Sequence, residues 1–157
     1  MVEAIVKLHP GIVKMFINNG AKTEIFSTYG SALQVAAERE HLYICKLLHA
    51  AGADLNGRED EDDETPLARS IENLSDATAL WLISVGADVN KRPESDYGKK
   101  TPLMKAITTF NEVIVKALVE AGADLDIESD ENDECTSWTA LNYAKEHLPK
   151  VVDYLMA

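Results

Sequence analysis

The sequence predicts an all-α repeat solenoid of about five helix-turn-helix units joined by extended fingers, and three observations carry that prediction. The first is a glycine-centred exit that recurs in "MFINNGAKTE", "LLHAAGADLN", "WLISVGADVN" and "ALVEAGADLD", placing Gly20, Gly52, Gly86 and Gly122 32, 34 and 36 residues apart. The second is an entry motif: "SALQVAA" from Ser31, "TPLARSI" from Thr65, "TPLMKAI" from Thr101 and "TALNYAK" from Thr139. The third is composition, because aromatics make up only 6% of the chain, which suits short helices packed through Leu, Ile, Val and Ala. A recurrence of this period marks units that bury their apolar faces only by stacking on their neighbours.

Helix pairs are expected near 2–19, 31–51, 66–85, 102–121 and 139–156, within one domain over 1–157 divided into repeats of about 1–24, 25–56, 57–90, 91–126 and 127–157. The first pair opens inside its inner helix, with no finger before it. In the third and fourth, Thr65 and Thr101 can cap a helix with their hydroxyls, and Pro66 and Pro102 suit a first turn that needs no N–H. Ala4, Ala36, Ala106 and Ala144 are small where helices must approach closely, and Ser70 departs from that rule. Ile114, Val115, Leu118 and Val119 form an apolar face at helical spacing. Gly52, Gly86 and Gly122 can end a helix with left-handed backbone, after which Asp54, Asp88 and Asp124 can bond the turn. The fifth pair has no glycine exit, and its inter-helix turn, around Glu146 to Lys150, is one residue short.

These residues resemble the ankyrin repeat, whose pattern is T-P-L-H-x-A, two short helices and a G-A-D-V-N-like exit. The resemblance covers nearly the whole chain and implies an ankyrin-type stack with β-turn fingers. It also implies a recognition scaffold whose concave surface is lined by Glu38, Arg39, Glu72, Asn73, Thr108 and Thr109, at the ends of inner helices, with Phe110 exposed in a turn on the concave side as a further partner contact. Two departures stand out. The histidine after T-P-L is replaced by Gln34, Ala68, Met104 and Asn142, which puts hydrogen bonding between repeats in doubt. The glycine between the helices is replaced by Glu40, Leu74 and Phe110, which implies less regular turns. By the same resemblance His41 is a capping residue.

Charge bounds the partners. A formal charge of -12 repels nucleic acid and anionic membrane and fits a protein with a basic patch. The start carries neither the basic region nor the apolar stretch of a signal peptide, and no apolar run reaches transmembrane length. Cys45 and Cys135 have no pairing or metal pattern, so a reducing, cytoplasmic setting is expected. The four histidines lack ligand-spaced partners, no strained nucleophile turn or phosphate loop occurs, and no enzyme, cofactor or metal site is expected.

The fingers carry the individuality. Between exit and entry they contain 6, 8, 10 and 12 residues, and loops on a regular scaffold are where specificity is placed. The run Glu59, Asp60, Glu61, Asp62, Asp63 and Glu64, with Asp126, Glu128, Asp130, Glu131, Asp133 and Glu134, holds 12 of the 27 acids. The helix dipole at Thr65 accounts for one or two of them, because its effect fades within a turn. The third finger, "KRPESDYGKK", is basic, and its charges serve either to complement its neighbours or to set a partner's register. Trp138 and Tyr97 occupy positions that resemble variable binding positions of designed ankyrin binders, and a finger Trp has little core to enter. Trp81 and Tyr43 are expected to pack between repeats.

Three readings stay open. The first is a protein-binding module, monomeric alone, that is expected to mask a basic partner as an inhibitor or immunity protein would, on the expectation of a free-standing domain. The second is a calcium- or metal-responsive regulator using the acidic fingers, above all "DLDIESDENDEC", whose alternating acids from Asp124 suit calcium but which has Ser129 at the glycine position and ends on Cys135 in place of a bidentate Glu. The third is a fragment of a longer array.

Overall fold

The computed structural model describes residues 1–7, 9–23, 26–27, 30–57, 64–93, 100–130 and 137–156. Its helices come in short pairs: α1 (Val2–Val6) and α2 (Pro10–Asn18), α3 (Ala32–Glu38) and α4 (Leu42–Ala50), α5 (Pro66–Glu72) and α6 (Asp76–Ser84), α7 (Pro102–Thr108) and α8 (Glu112–Glu120). The fifth pair is α9 (Ala140–His147) with a 3-10 turn at Pro149–Val151 leading into α10 (Val152–Leu155). Two fingers carry antiparallel strand pairs: β1 (Phe26–Ser27) with β2 (Gly30–Ser31), and β3 (Ser129–Asp130) with β4 (Ser137–Trp138).

Helices of seven and nine residues are too short to persist alone. Caps and stacking hold them. The hydroxyls of Ser31, Thr65 and Thr101 accept from the amides of Gln34, Ala68 and Met104 at 3.2, 3.1 and 3.3 Å. Inner helices α1, α3, α5, α7 and α9 pack in one row and α2, α4, α6 and α8 in another. The core runs between the rows. Leu33, Leu67 and Leu103 recur in it from the inner row, and Leu48, Leu82 and Leu118 from the outer, all 0–1% exposed. Ala36, Ala106 and Ala144 are fully buried, and so is Ser70, whose hydroxyl donates to the Leu67 carbonyl at 2.7 Å. Cys45 lies in the same core, where burial pushes its thiol up to about 12.

The inter-helix turns correct one expectation. Glu40, Leu74 and Phe110 hold the left-handed backbone that glycine would take, at φ 59°, 57° and 58°, and the three turns share one hydrogen-bond pattern. The amides of His41, Ser75 and Asn111 donate to the carbonyls of Ala36, Ser70 and Ala106 at 2.9, 2.8 and 2.9 Å. Packing on both sides over-determines the turn, so each repeat accepts the strain of a side chain at positive φ instead of changing its backbone. In the fifth repeat the missing residue is this one: α9 runs to His147 and Leu148 passes directly into the 3-10 turn at φ -139°.

Candidate functional site

The exits tie the repeats together. Asp54, Asp88 and Asp124 each accept from the amide two residues on, at 2.8, 2.9 and 2.9 Å. The Asn that follows reaches across: the Asp88 amide donates to Asn56 Oδ1 at 2.8 Å and the Asp124 amide to Asn90 Oδ1 at 2.7 Å. The third finger adds to this lacing. Lys91 Nζ donates to the Asn56 carbonyl at 2.9 Å and Arg92 to the Glu128 carbonyl at 2.5 Å. Its described cations therefore engage neighbouring repeats.

The inner helices carry a second ladder that sequence reasoning missed. Arg69 and Lys105 stand at the same register, four residues after Thr65 and Thr101, and each faces an acid from the preceding repeat. Arg69 Nη1 lies 3.0 Å from Glu38, and Lys105 lies 2.8 Å from Glu64 and bonds Glu72 as well. Glu64, expected among the steering acids, turns inward with its side chain only 14% exposed, while the Lys105 side chain is 5% exposed. Burial works to lower the Lys105 ammonium, but the carboxylates of Glu64 and Glu72 outweigh it and hold it above its usual range. Burial raises the Glu64 carboxyl, against the opposing pull of Lys105. Asn73, Thr108 and Thr109 turn back onto their own helices, bonding the Arg69 and Lys105 carbonyls at 3.0 Å. Repetition of a cation at one register and an acid three residues later (Arg69 with Glu72, after Glu38) is the signal that would have revealed the ladder.

At the next step the ladder stops. Thr108 replaces the acid and Tyr143 the cation. Tyr143 is fully buried, its hydroxyl 2.9 Å from Ser129 Oγ in β3. Trp138, in β4, meets it edge-on at 5.2 Å, and Lys100 Nζ lies 5.3 Å above its ring. The finger Trp thus finds core that the sequence did not predict: it is half-buried against Tyr143, with part of its surface open. Trp81 packs between repeats as expected, edge-on to His49 at 5.7 Å, whereas Tyr43 stands 57% exposed. His41 does not cap its own helix. Its ring donates to the Ile5 carbonyl of the first repeat, and burial, with Arg39 nearby, lowers its pKa.

Glu59 to Asp63, Tyr97, Glu131, Asp133 and Glu134 lie outside the described residues, and Asp130 falls within β3. Among the described residues no group of three His, Cys, Asp or Glu side chains could hold a metal, and no helix is long and apolar enough to cross a membrane. Asp124, first of the alternating acids, spends one oxygen on its turn.

A family model for ankyrin repeats in three copies matches residues 1–93, and one for a single ankyrin repeat matches residues 99–130. The chain belongs to the ankyrin repeat family. No curated protein matches it. Within the ankyrin pattern, Gln34 takes over the work of the missing histidine. Its Oε1 accepts from the Ser31 amide at 2.5 Å and its Nε2 donates to the Glu64 carbonyl of the following repeat at 2.6 Å. Met104 retains only the local contact, its sulfur 3.4 Å from the Thr101 amide. Ankyrin repeats are protein–protein interaction modules.

Proposed function

We propose that this ankyrin stack is a non-catalytic, cytoplasmic binder that masks a partner protein with a basic surface, as an inhibitor or immunity protein masks a toxin or enzyme. One observation carries the reading: the inner-helix cations Arg69 and Lys105 are neutralised from within by Glu38, Glu64 and Glu72. The interior ladder therefore returns no positive field to offset the acids of the two fingers in a chain whose net charge is -12. A surface of one sign steers an oppositely charged partner and raises its association rate. Glu59 to Asp63 with Asp130, Glu131, Asp133 and Glu134 supply that field. Trp138, Tyr97, Asn73, Thr108 and Thr109 supply the contacts that hold, with Glu72 at the boundary of both.

The test is capture from native lysate by wild-type protein and by a Trp138→Ala, Tyr97→Ala double variant, at low and high salt. One basic protein retained by the wild type in high salt and lost by the variant is the expected result. A neutral or acidic partner, or salt-labile capture of many proteins by both, would refute the masking role.

A further inference from the structure

Opposite the fingers, at the far ends of the inner helices, the inter-helix turns form an edge whose composition the fold does not explain. Leu74 and Phe110 occupy the left-handed position at φ 57° and 58°, where glycine would be free of strain. Their side chains gain nothing in return from the core, being 60% and 63% exposed. Tyr43 and Val113, each two residues past the N-cap of an outer helix, are 57% and 59% exposed on the same edge. Strain and exposure are independent costs, and both fall on large apolar residues in consecutive repeats. Large apolar groups kept exposed at a strained position mark an interaction surface.

The edge is laced into one unit. Asn111 donates to Asp76 at 2.6 Å, joining the turns that carry Phe110 and Leu74, His41 bonds Ile5, and Lys150 lies 3.8 Å from Glu112. An open hollow of about 310 Å³, lined by Pro10, Glu40, His41, Leu42, Tyr43 and Ile44, ends the row at the turns of the first two repeats. Carboxylates accompany the row: Glu40 at the rim of the hollow and Asp76 beside Leu74 are in no ion pair among the described residues. Lys46 and Lys116 stand one helical turn beyond Tyr43 and Val113, on the outer side.

We infer that this edge is a second docking surface, distinct from the fingers and the inner-helix face, for an amphipathic helix of a partner protein bearing Lys or Arg beside its apolar stripe. One large apolar side chain enters the hollow, the stripe lies along Leu74, Phe110 and Val113, and the cations meet Glu40 and Asp76. Repeats about 10 Å apart place the hollow and Val113 roughly 25 Å from each other, the length of a helix of about 17 residues.

The test uses a fluorescein-labelled synthetic peptide of about 18 residues, with a leucine stripe flanked by lysines, read by anisotropy against the full chain. Two controls accompany it: the same residues scrambled, and the same stripe flanked by glutamates. The variant is Leu74→Gly with Phe110→Gly, which leaves every charge in place and relieves strain, so its unfolding midpoint rises. Binding of the lysine-flanked helix, weakened about tenfold or more by the variant, is the expected result. Equal binding by variant and wild type, preference for the scrambled or glutamate peptide, or a lowered midpoint in the variant each overturns it. A dimer seen by light scattering and broken by the same substitutions would assign the strip to a second copy of this chain, and so overturn the partner assignment.

Discussion

Lys105 is the residue on which the inner-helix face depends most. It holds Glu64 and Glu72 from two different elements, with a side chain almost wholly out of water. Its proton is bound more tightly in the folded than in the unfolded chain, so its contribution is complete below the ordinary lysine range and is lost as pH rises through the elevated folded value. Lys105→Met removes the ion-pair partner of the buried Glu64 carboxylate and leaves only the more distant charge of Arg69 to offset its burial, at a cost of about 3 kcal/mol near neutral pH. The orphaned carboxyl then takes up a proton more readily in the folded state, already the direction of its shift. The deficit of Lys105→Met should therefore shrink as pH falls towards about 5, in urea titrations of variant and wild type at both pH values. A deficit unchanged with pH would show that the loss is packing and not charge.

Elements here are joined less by their own hydrogen bonds than by side chains that cross from one repeat to the next. Asn56 and Asn90 each accept the amide of the next exit, so each finger is anchored at a point outside itself. Asn90→Ala should expose the Asp124 amide to faster hydrogen exchange while leaving the Asp88 amide, held by Asn56, as slow as before. The cost in global stability is about 1 kcal/mol or less, since the bond is exposed. Exchange raised equally at both amides would mean that the exits unfold with the whole stack and not locally. The fifth repeat shows the converse: without the left-handed residue of its turn, it closes through Leu148 and a 3-10 turn and so departs from the geometry of the others.

Across the whole molecule, a stack whose repeats contact only their neighbours adds interfaces along one axis, and charge acts along that same axis. The third repeat and the fifth hold most of the net negative charge, and the basic finger of the fourth lies between them in sequence. Self-repulsion of a net -12 outweighs the few exposed ion pairs, such as Glu3 with Lys7 at 2.9 Å and Glu112 with Lys150 at 3.8 Å, which contribute little. Raising ionic strength from about 10 mM to about 150 mM should therefore raise the midpoint of thermal unfolding, because screening shortens the reach of repulsion from about 30 Å to about 8 Å. A midpoint lowered by salt would show that the buried network around Lys105, rather than the surface field, governs the electrostatics.

The repeat period, the caps at Thr65 and Thr101, the proline at the first helical turn, the Asx turns after Gly52, Gly86 and Gly122 and the shortened last turn were all determined by the sequence alone. Each is a local or periodic signal, written within a few residues of the structure it produces. What only the tertiary structure decided lies between repeats. Residues 31 to 36 positions apart meet as Glu38 with Arg69, Lys105 with Glu72, and Arg92 with the Glu128 carbonyl, and a single-repeat pattern says nothing of such meetings. The same holds for Gln34 in the role of the absent histidine, for Glu64 turned inward away from its acidic run, and for Trp138 finding Tyr143. Stacking also decided that Glu40, Leu74 and Phe110 would adopt a backbone their side chains disfavour, because the bonds and burial on either side of the turn outweigh the strain of one residue.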